Sequence, residues 1–184
     1  MNITFRQATI EDAEMIRNWI KTNEFARHWY FLDKIPRLLT LKKKIQRKLD
    51  DKKMKINIVL VDDFPIGYIQ SYPVDGQGAW TSKVKVIDNM VSLDYYIGDI
   101  NFIHKGIGSK MILKYIDDVV KKDNYSGVLI SPDPKNLTQE KLMQKCGFKY
   151  IKTVNVPYKN SKEKEAVYVK IFEKKFNLFI LKIE

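Results

Sequence analysis

The sequence predicts an α/β fold in which helices cover a mixed β-sheet. Apolar runs of strand length alternate with segments whose apolar residues recur at helical spacing, in the order β-α-α-β-β-β-α-β-α-β-β. A length of 184 residues with 45% hydrophobic side chains suits one domain with a buried core. No internal repeat or linker interrupts this pattern, so we expect a single domain over residues 1–184.

The N-terminal part is predicted to form a strand over residues 3–8 and then two helices. Thr9 is a typical helix N-cap, and the apolar side chains between 15 and 20 form a stripe at helical spacing. The aromatic-rich stretch 25–30 indicates a loop or a short helix. Thr40 is predicted to cap the second helix, which repeats an apolar residue every four positions.

The remaining elements follow from apolar runs and from turn residues. Asp62-Asp63-Phe64-Pro65 predicts the turn of a hairpin, and Gly147 predicts the end of the last helix. The predicted strands are 56–61, 66–72, 90–97, 127–131, 148–156 and 166–172, and the predicted helices are 106–120 and 136–146. A polar stretch, 159–165, separates the last two strands, and the apolar tail 176–183 is a candidate edge strand.

The charge is strongly positive, with 33 Lys and Arg against 22 Asp and Glu, or +11. Nucleic acid, an acidic membrane surface or an anionic cofactor would be attracted by such a protein. The densest basic run, 42–53, lies on one predicted helix and has no interleaved aromatic residues or Gly-rich arm, which favours a solvated face. We therefore expect neither a nucleic-acid nor a membrane partner.

Residue counts exclude several classes of site. The single cysteine, Cys146, excludes an internal disulfide and a multi-cysteine zinc site, and two histidines leave little for a metal. No stretch approaches the ~20 apolar residues of a membrane helix. Residues 1–6 show no secretory signal. The expectation is a cytoplasmic protein without a metal.

One segment, His104-Lys105-Gly106-Ile107-Gly108-Ser109, follows a predicted strand and opens a predicted helix. Glycines let a backbone approach a ligand closely, and the first N–H groups of a helix favour an anion such as pyrophosphate. The pattern completes neither the nucleotide-binding P-loop nor the Rossmann fingerprint. A tight strand-to-helix turn is the alternative.

A second candidate is Asp94, which interrupts the otherwise apolar and aromatic strand 91–97. An unpaired buried charge is costly, so a carboxylate at this place requires a reason. The residues alone leave two explanations open: a catalytic base, or the end of the strand capping a turn.

Four segments, in order and spacing, are similar to one known family. They are Met15–Ile20 with its tryptophan, Pro65–Tyr72 (Pro-Ile-Gly-Tyr-Ile-Gln-Ser-Tyr), Leu93–Ser109, and Pro132–Phe148 ending in Lys-Cys-Gly-Phe. On these segments the chain resembles the GNAT-type N-acetyltransferases over nearly its full length. Within them it most closely resembles the aminoglycoside 6′-N-acetyltransferases, which act in antibiotic resistance.

The resemblance implies a splayed central sheet flanked by helices, with a split between the fourth and fifth strands that holds acetyl-CoA as cosubstrate. Its pyrophosphate would lie on the amides of the loop formed by His104, Lys105, Gly106, Ile107, Gly108 and Ser109. Asn136 matches a residue thought to hold the pantetheine arm or the loop, and it is equally suited to cap a helix. No metal is implied.

The resemblance also makes Asp94 the catalytic residue. An amine acceptor must lose a proton before it attacks the thioester, and a carboxylate can take that proton directly or through water. No covalent enzyme intermediate is needed, so Cys146 is expected to pack. Met143 stands where many members have a tyrosine that protonates the thiolate. Tyr168 or water would then protonate the coenzyme A thiolate.

The acceptor implied is a primary amine of a small molecule, bound by Tyr72, Trp80 and Asp94, and an aminoglycoside is favoured. The family's acidic loop is missing: residues 78–85 keep Trp80 but carry two lysines. Local carboxylates remain for the pocket, namely Asp75, Asp88, Asp94 and Asp99.

Other readings stay open. They are N-acetylation of a siderophore hydroxylamine or of a peptide or protein amine, a non-catalytic acyl-CoA-binding protein, and a nucleic-acid binder suggested only by charge. A monomer and a homodimer are both compatible with the sequence, since the tail 176–183 offers an edge for pairing.

Overall fold

The computed structural model describes residues 1–29, 34–74, 89–158 and 161–172. Contacts divide the chain into two compact units: Met1–Pro73 with Val91–Asp123, and Val74–Met90 with Asn124–Glu184. The prediction of one domain over 1–184 stays a prediction. Trp80 and the apolar tail 176–183 lie outside the described residues.

In its described residues, the first unit carries four strands in the order β1-β2-β3-β4 together with four α-helices. Short 3-10 turns at Ile10–Asp12, Ile100–Phe102 and Lys121–Asp123 connect them, and a π-helical turn, Ile116–Val120, extends the fourth helix. The elements are β1 Ile3–Gln7, α1 Ala13–Thr22, α2 Glu24–Trp29, α3 Leu38–Asp50, β2 Lys55–Val61, β3 Phe64–Val74, β4 Met90–Ile97 and α4 Ile107–Tyr115.

Several boundaries in this unit differ from the sequence prediction by one or two residues, and the predicted helix 106–120 is an α-helix over 107–115 followed by a π-helical turn over 116–120. Two of the differences have a clear physical reason. The hairpin turn consists of Asp62 and Asp63 alone, both at positive φ (48° and 66°), so Phe64 already belongs to β3. Two residues in the left-handed region form the tight turn that matches strand twist. Helix α3 begins at Leu38 and not at Thr40, because Leu38 extends the apolar stripe and Leu41 N–H bonds the Arg37 carbonyl at 3.1 Å.

The core of the first unit lies where α1 and α3 pack on one face of β2, β3 and β4. The stacked rings of Tyr68 and Tyr96, whose centroids are 5.6 Å apart, occupy its centre. Fully buried side chains around them include Ile16, Ile20, Leu41, Ile45 and Ile58. Because strand side chains alternate, β3 residues 68, 70 and 72 and β4 residues 94 and 96 share this face.

The second unit contains β5 Gly127–Ile130, α5 Leu137–Lys145, β6 Lys149–Tyr158 and β7 Ser161–Ile171, with strand order β5-β7-β6. Leu129, Val154 and Val167 lie in its apolar core. The predicted polar gap 159–165 is wrong from Ser161 onward, because β7 pairs with β6 as far as Ser161 opposite Tyr158. The backbone hydrogen bonds of this hairpin therefore extend along a stretch of mostly polar sequence.

Gly98, just after β4, lies against the Trp19 indole of α1. A Cβ built on Gly98 would stand 2.2 Å from Trp19 Cδ2, and Trp19 is itself buried. We expect Gly98→Ala to lower the free energy of unfolding by about 1–3 kcal/mol, the usual cost of overpacking a core. Urea denaturation measures it. The same substitution in a Trp19→Ala background, which removes the clashing ring, should cost less, and an equal cost in both backgrounds would contradict this contact.

Candidate active site

Asp94 lies in the interior of β4, so it does not end the strand or cap a turn. Its Oδ2 accepts a hydrogen bond of 2.6 Å from Gln70 Nε2 on the neighbouring strand β3. The Tyr72 hydroxyl also hydrogen-bonds the carboxylate. The side chain is partly buried, and these partners offset the cost of placing a charge there.

Gln70 is held from its other side. Its Oε1 accepts from Lys48 Nζ at 2.5 Å and from the Tyr68 hydroxyl at 2.8 Å. Lys48 also donates to the Tyr68 oxygen at 3.2 Å, and its ammonium lies 5.3 Å from the Tyr68 ring centroid. A polar chain therefore runs from Lys48 on α3 through Gln70 to Asp94.

The sequence prediction did not assign Lys48 and Gln70. Gln70 offers a local signal, because it is a polar residue between the aromatic positions Tyr68 and Tyr72 of a predicted strand. Lys48 offers a weak signal: it lies three positions after Ile45 and seven after Leu41, on the apolar side of the helix, but it is one of many lysines in a basic run that is typical of a solvated face. Its placement follows from the packing of α3, in which Leu41 and Ile45 face the core.

Burial and nearby charges shift the pKa values of Asp94 and Lys48, which lie at the two ends of this series of hydrogen bonds. Burial raises the pKa of Asp94, while the Gln70 hydrogen bond, the Lys48 charge and Tyr72 act in the opposite direction without cancelling it. Burial lowers the pKa of Lys48 to about 8, with further lowering by Lys44 and Arg47 and some raising by Asp94. A carboxylate with a raised pKa is a stronger base than an ordinary aspartate.

The glycine segment forms the entry to α4 in the same unit. Gly106 is the N-cap in the left-handed region, with φ 71°, and no side chain caps the helix. His104 also has a positive φ of 60°, and His104, Lys105 and Gly106 are exposed. Ile107 and Ser109 are buried, and Ser109 Oγ donates to the Gly106 carbonyl at 3.4 Å. The first backbone N–H groups of α4 therefore follow an exposed turn, and no capping side chain accepts a hydrogen bond from them.

The other predicted residues belong to the second unit. Asn136 Oδ1 accepts from Gln139 N–H at 3.1 Å, so Asn136 is the N-cap of α5. Met143 is fully buried, and Tyr168 packs edge-on against Tyr150 with centroids 5.6 Å apart. Cys146 is buried, and burial raises the pKa of its thiol, which keeps it protonated near neutrality.

Of the carboxylates considered for the acceptor pocket, Asp99 accepts from Asn101 N–H at 2.8 Å and caps the turn Ile100–Phe102. Asp75, Trp80 and Asp88 fall outside the described ranges. Within those ranges, no cluster of three or more His, Cys, Asp or Glu side chains suits a metal ion. No helix there is long and apolar enough to cross a bilayer.

Comparison with known proteins gives consistent matches. The acetyltransferase (GNAT) domain family matches residues 9–156. The aminoglycoside N(6′)-acetyltransferases type 1 of Klebsiella pneumoniae and Serratia marcescens are each 22% identical to this chain, over 85% of it and 78% of the relative.

Solved structures show the same fold. Aminoglycoside acetyltransferase AAC(6′)-Ib in complex with coenzyme A superposes with a TM-score of 0.78 at 21% identity, covering 92% of this chain and 95% of the other. Its complex with coenzyme A and kanamycin gives the same values. The microcin C7 self-immunity acetyltransferase MccE, solved with acetyl-CoA and AMP, gives 0.71 at 17% identity, covering 92% of each chain.

These matches confirm the predicted fold class, a mixed sheet with flanking helices. The split expected between the fourth and fifth strands stays a prediction. The family match spans well over half of the chain and covers both Asp94 and the glycine segment. This chain belongs to the GNAT family of acetyltransferases.

Proposed function

We propose that this protein transfers the acetyl group of acetyl-CoA to a primary amine of a small molecule, with an aminoglycoside 6′-amine as the favoured acceptor. The observation that carries the proposal is Asp94, an interior strand carboxylate held by Gln70 and Tyr72 and raised in pKa. Relatives named as aminoglycoside N(6′)-acetyltransferases support the choice of acceptor.

In this proposal Asp94 takes the proton from the acceptor ammonium, directly or through one water. The freed amine attacks the thioester carbonyl, the C–N bond forms, and the C–S bond breaks with release of the coenzyme A thiolate. A backbone N–H stabilises the developing oxyanion. The attacking nitrogen gives up a second proton as the amide forms, and the departing thiolate takes up one proton through water, since the Met143 thioether has none to give. Asp94 then releases its proton to solvent, so each turnover releases one proton.

The glycine segment suits the cosubstrate chemically. The exposed turn at Gly106 and the uncapped start of α4 present backbone donors and a positive helix end, which fit a pyrophosphate. We assign His104, Lys105, Gly106, Ile107, Gly108 and Ser109 to this role. Asn136 is assigned to the pantetheine arm, in addition to its observed cap of α5.

A second acceptor class is favoured by one observation. The ammonium of Lys48, with Lys44 and Arg47 on the same helix, places positive charge beside the Gln70–Asp94 pair. Positive charge at this position and a net charge of +11 disfavour a polycation. A siderophore hydroxylamine or a peptide amine would bind with less repulsion.

We expect measurable but weak acetylation of kanamycin, with a high KM, because the basic segment 78–85 has no carboxylates, and each contact of a carboxylate with the polycation would contribute ~0.2–1 kcal/mol where solvent screens it. Thiol release from acetyl-CoA over a panel of aminoglycosides, hydroxylamines and peptide amines measures it. The Asp94→Asn variant controls for hydrolysis without transfer. If only a hydroxylamine or peptide amine releases thiol above that control, the aminoglycoside assignment is wrong.

A further inference from the structure

Lys48 belongs to the basic helix α3, yet its ammonium points to the sheet and not to solvent. It donates to Gln70 Oε1 at 2.5 Å and to the Tyr68 hydroxyl at 3.2 Å. Its neighbours on the core side of α3 are the apolar Leu41 and Ile45. Removing the Lys48 ammonium from water costs free energy, so its position on this side of the helix requires an explanation.

We propose that Lys48 is a positioning residue for acetyl transfer: its ammonium group acts through Gln70 to hold the Asp94 carboxylate oriented and ionised. The proposal rests on the proposed function, in which Asp94 is the base. Lys48 itself touches neither the acceptor nor the acetyl group in this scheme.

The orientation follows from the Gln70 amide. A glutamine amide has one acceptor oxygen and one donor nitrogen, and the two ends are told apart by their partners. Lys48 and the Tyr68 hydroxyl both donate to the oxygen, at 2.5 and 2.8 Å. A flipped amide would place its NH₂ against the ammonium and its oxygen against the Asp94 oxygen. The two donors therefore fix Gln70 Nε2 toward Asp94, 2.6 Å away.

The ionisation argument uses the charges around the pair. Within the described part of the chain, the charged and titratable groups that act on Lys48 include Lys44 and Arg47 on α3, Tyr68 on β3 and Asp94 on β4. Among the described residues, Lys48 is the charged group whose field favours the ionised form of Asp94. Neutralising Lys48 should thus make Asp94 easier to protonate and should free the Gln70 amide to rotate.

A direct test follows the Asp94 carboxyl by ¹³C NMR during a pH titration of the whole protein. In Lys48→Met, which keeps the length and removes the charge, we expect the Asp94 midpoint to rise by about one pH unit. Lys48→Arg should keep the midpoint near that of the wild type. Lys43→Met is the matched control, because Lys43 is an exposed lysine of the same helix. An equal midpoint in Lys48→Met and Lys43→Met would overturn the proposal.

Kinetics with acetyl-CoA and kanamycin test the consequence. Lys48→Met should lower kcat roughly 10-fold, as for one lost hydrogen bond to a charged group, and should move the acid limb of kcat/KM to higher pH. KM for acetyl-CoA should not change, and Lys48→Arg should restore much of the rate. A lower kcat with an unmoved acid limb would make Lys48 a packing residue and overturn the proposal.

The role of Asp94 as base and the role of Lys48 as positioning residue can be tested separately. In an Asp94→Asn background, Lys48→Met should cause no further loss of rate, since the group that it positions is gone. A further 10-fold loss there would overturn the positioning role and leave the base role intact. Full activity of Asp94→Asn alone would overturn the base role, and with it the positioning role.

Discussion

Asp94→Asn is expected to lower kcat for acetyl transfer by roughly 10²- to 10⁴-fold, the range typical of a general base. The substitution keeps the size of the side chain, and the amide oxygen can still accept from Gln70 Nε2. What is lost is the negative charge and nearly all basicity. Steady-state thiol release measures kcat, and calorimetry measures acetyl-CoA affinity, which should stay within about two-fold because Asp94 is assigned to the acceptor side.

The control is Asp117→Asn, which removes the same charge from an exposed carboxylate paired with Lys121. It should leave kcat unchanged. Near-normal turnover of Asp94→Asn on the fastest acceptor would refute the base assignment. A loss of acetyl-CoA affinity in Asp94→Asn would instead assign the carboxylate to the cosubstrate side.

The raised pKa of Asp94 gives the sign of a pH effect. A general base acts only when deprotonated, so kcat/KM should fall as the pH drops through the Asp94 pKa. Because burial raises that pKa, the fall should begin at a higher pH than for an ordinary aspartate. In Asp94→Asn the residual rate should lose this limb and follow only the ionisation of the acceptor amine.

How far the sequence predicts this site depends on whether a signal is local. Strand β4 was predicted at its observed bounds, because a continuous apolar and aromatic run bounded by polar residues is a strong strand signal. Asp94 is a candidate for a related reason: a carboxylate interrupts that run. Gly106 is a candidate because a glycine between a strand and an amphipathic helix marks a turn.

Contacts between distant segments gave no comparable signal. Lys48 and Asp94 are 46 positions apart, and although the periodicity of α3 places Lys48 on the side of Leu41 and Ile45, it does not indicate which strand residues the ammonium contacts. The contact of Trp19 with Gly98 is of the same kind. The sequence does not predict that β7 residues 161–165 pair with β6, because the side chains of this stretch are mostly polar. The backbone hydrogen bonds between the two strands do not depend on the hydropathy of those side chains.

Gly108→Val is expected to weaken coenzyme A binding by roughly 10- to 100-fold, the equivalent of one lost hydrogen bond to a charged group. Gly108 is the second residue of α4, and the helix starts from an exposed turn. A branched side chain on the first turn would keep a pyrophosphate from the backbone N–H groups. Valine is tolerated in a helix better than glycine, so the fold should survive.

Two variants separate obstruction from backbone strain. Gly108→Ala adds one carbon and should weaken coenzyme A binding less than Gly108→Val. Gly106→Ala places a side chain at φ 71°, where a Cβ meets no atom within 4 Å, so it should cost about 1 kcal/mol of folding stability through backbone conformation alone. Calorimetry with coenzyme A and thermal denaturation read the two effects independently. Unchanged affinity in a folded Gly108→Val protein would remove the glycine segment from the cosubstrate site, because a phosphate on those amides cannot share their space with a valine side chain.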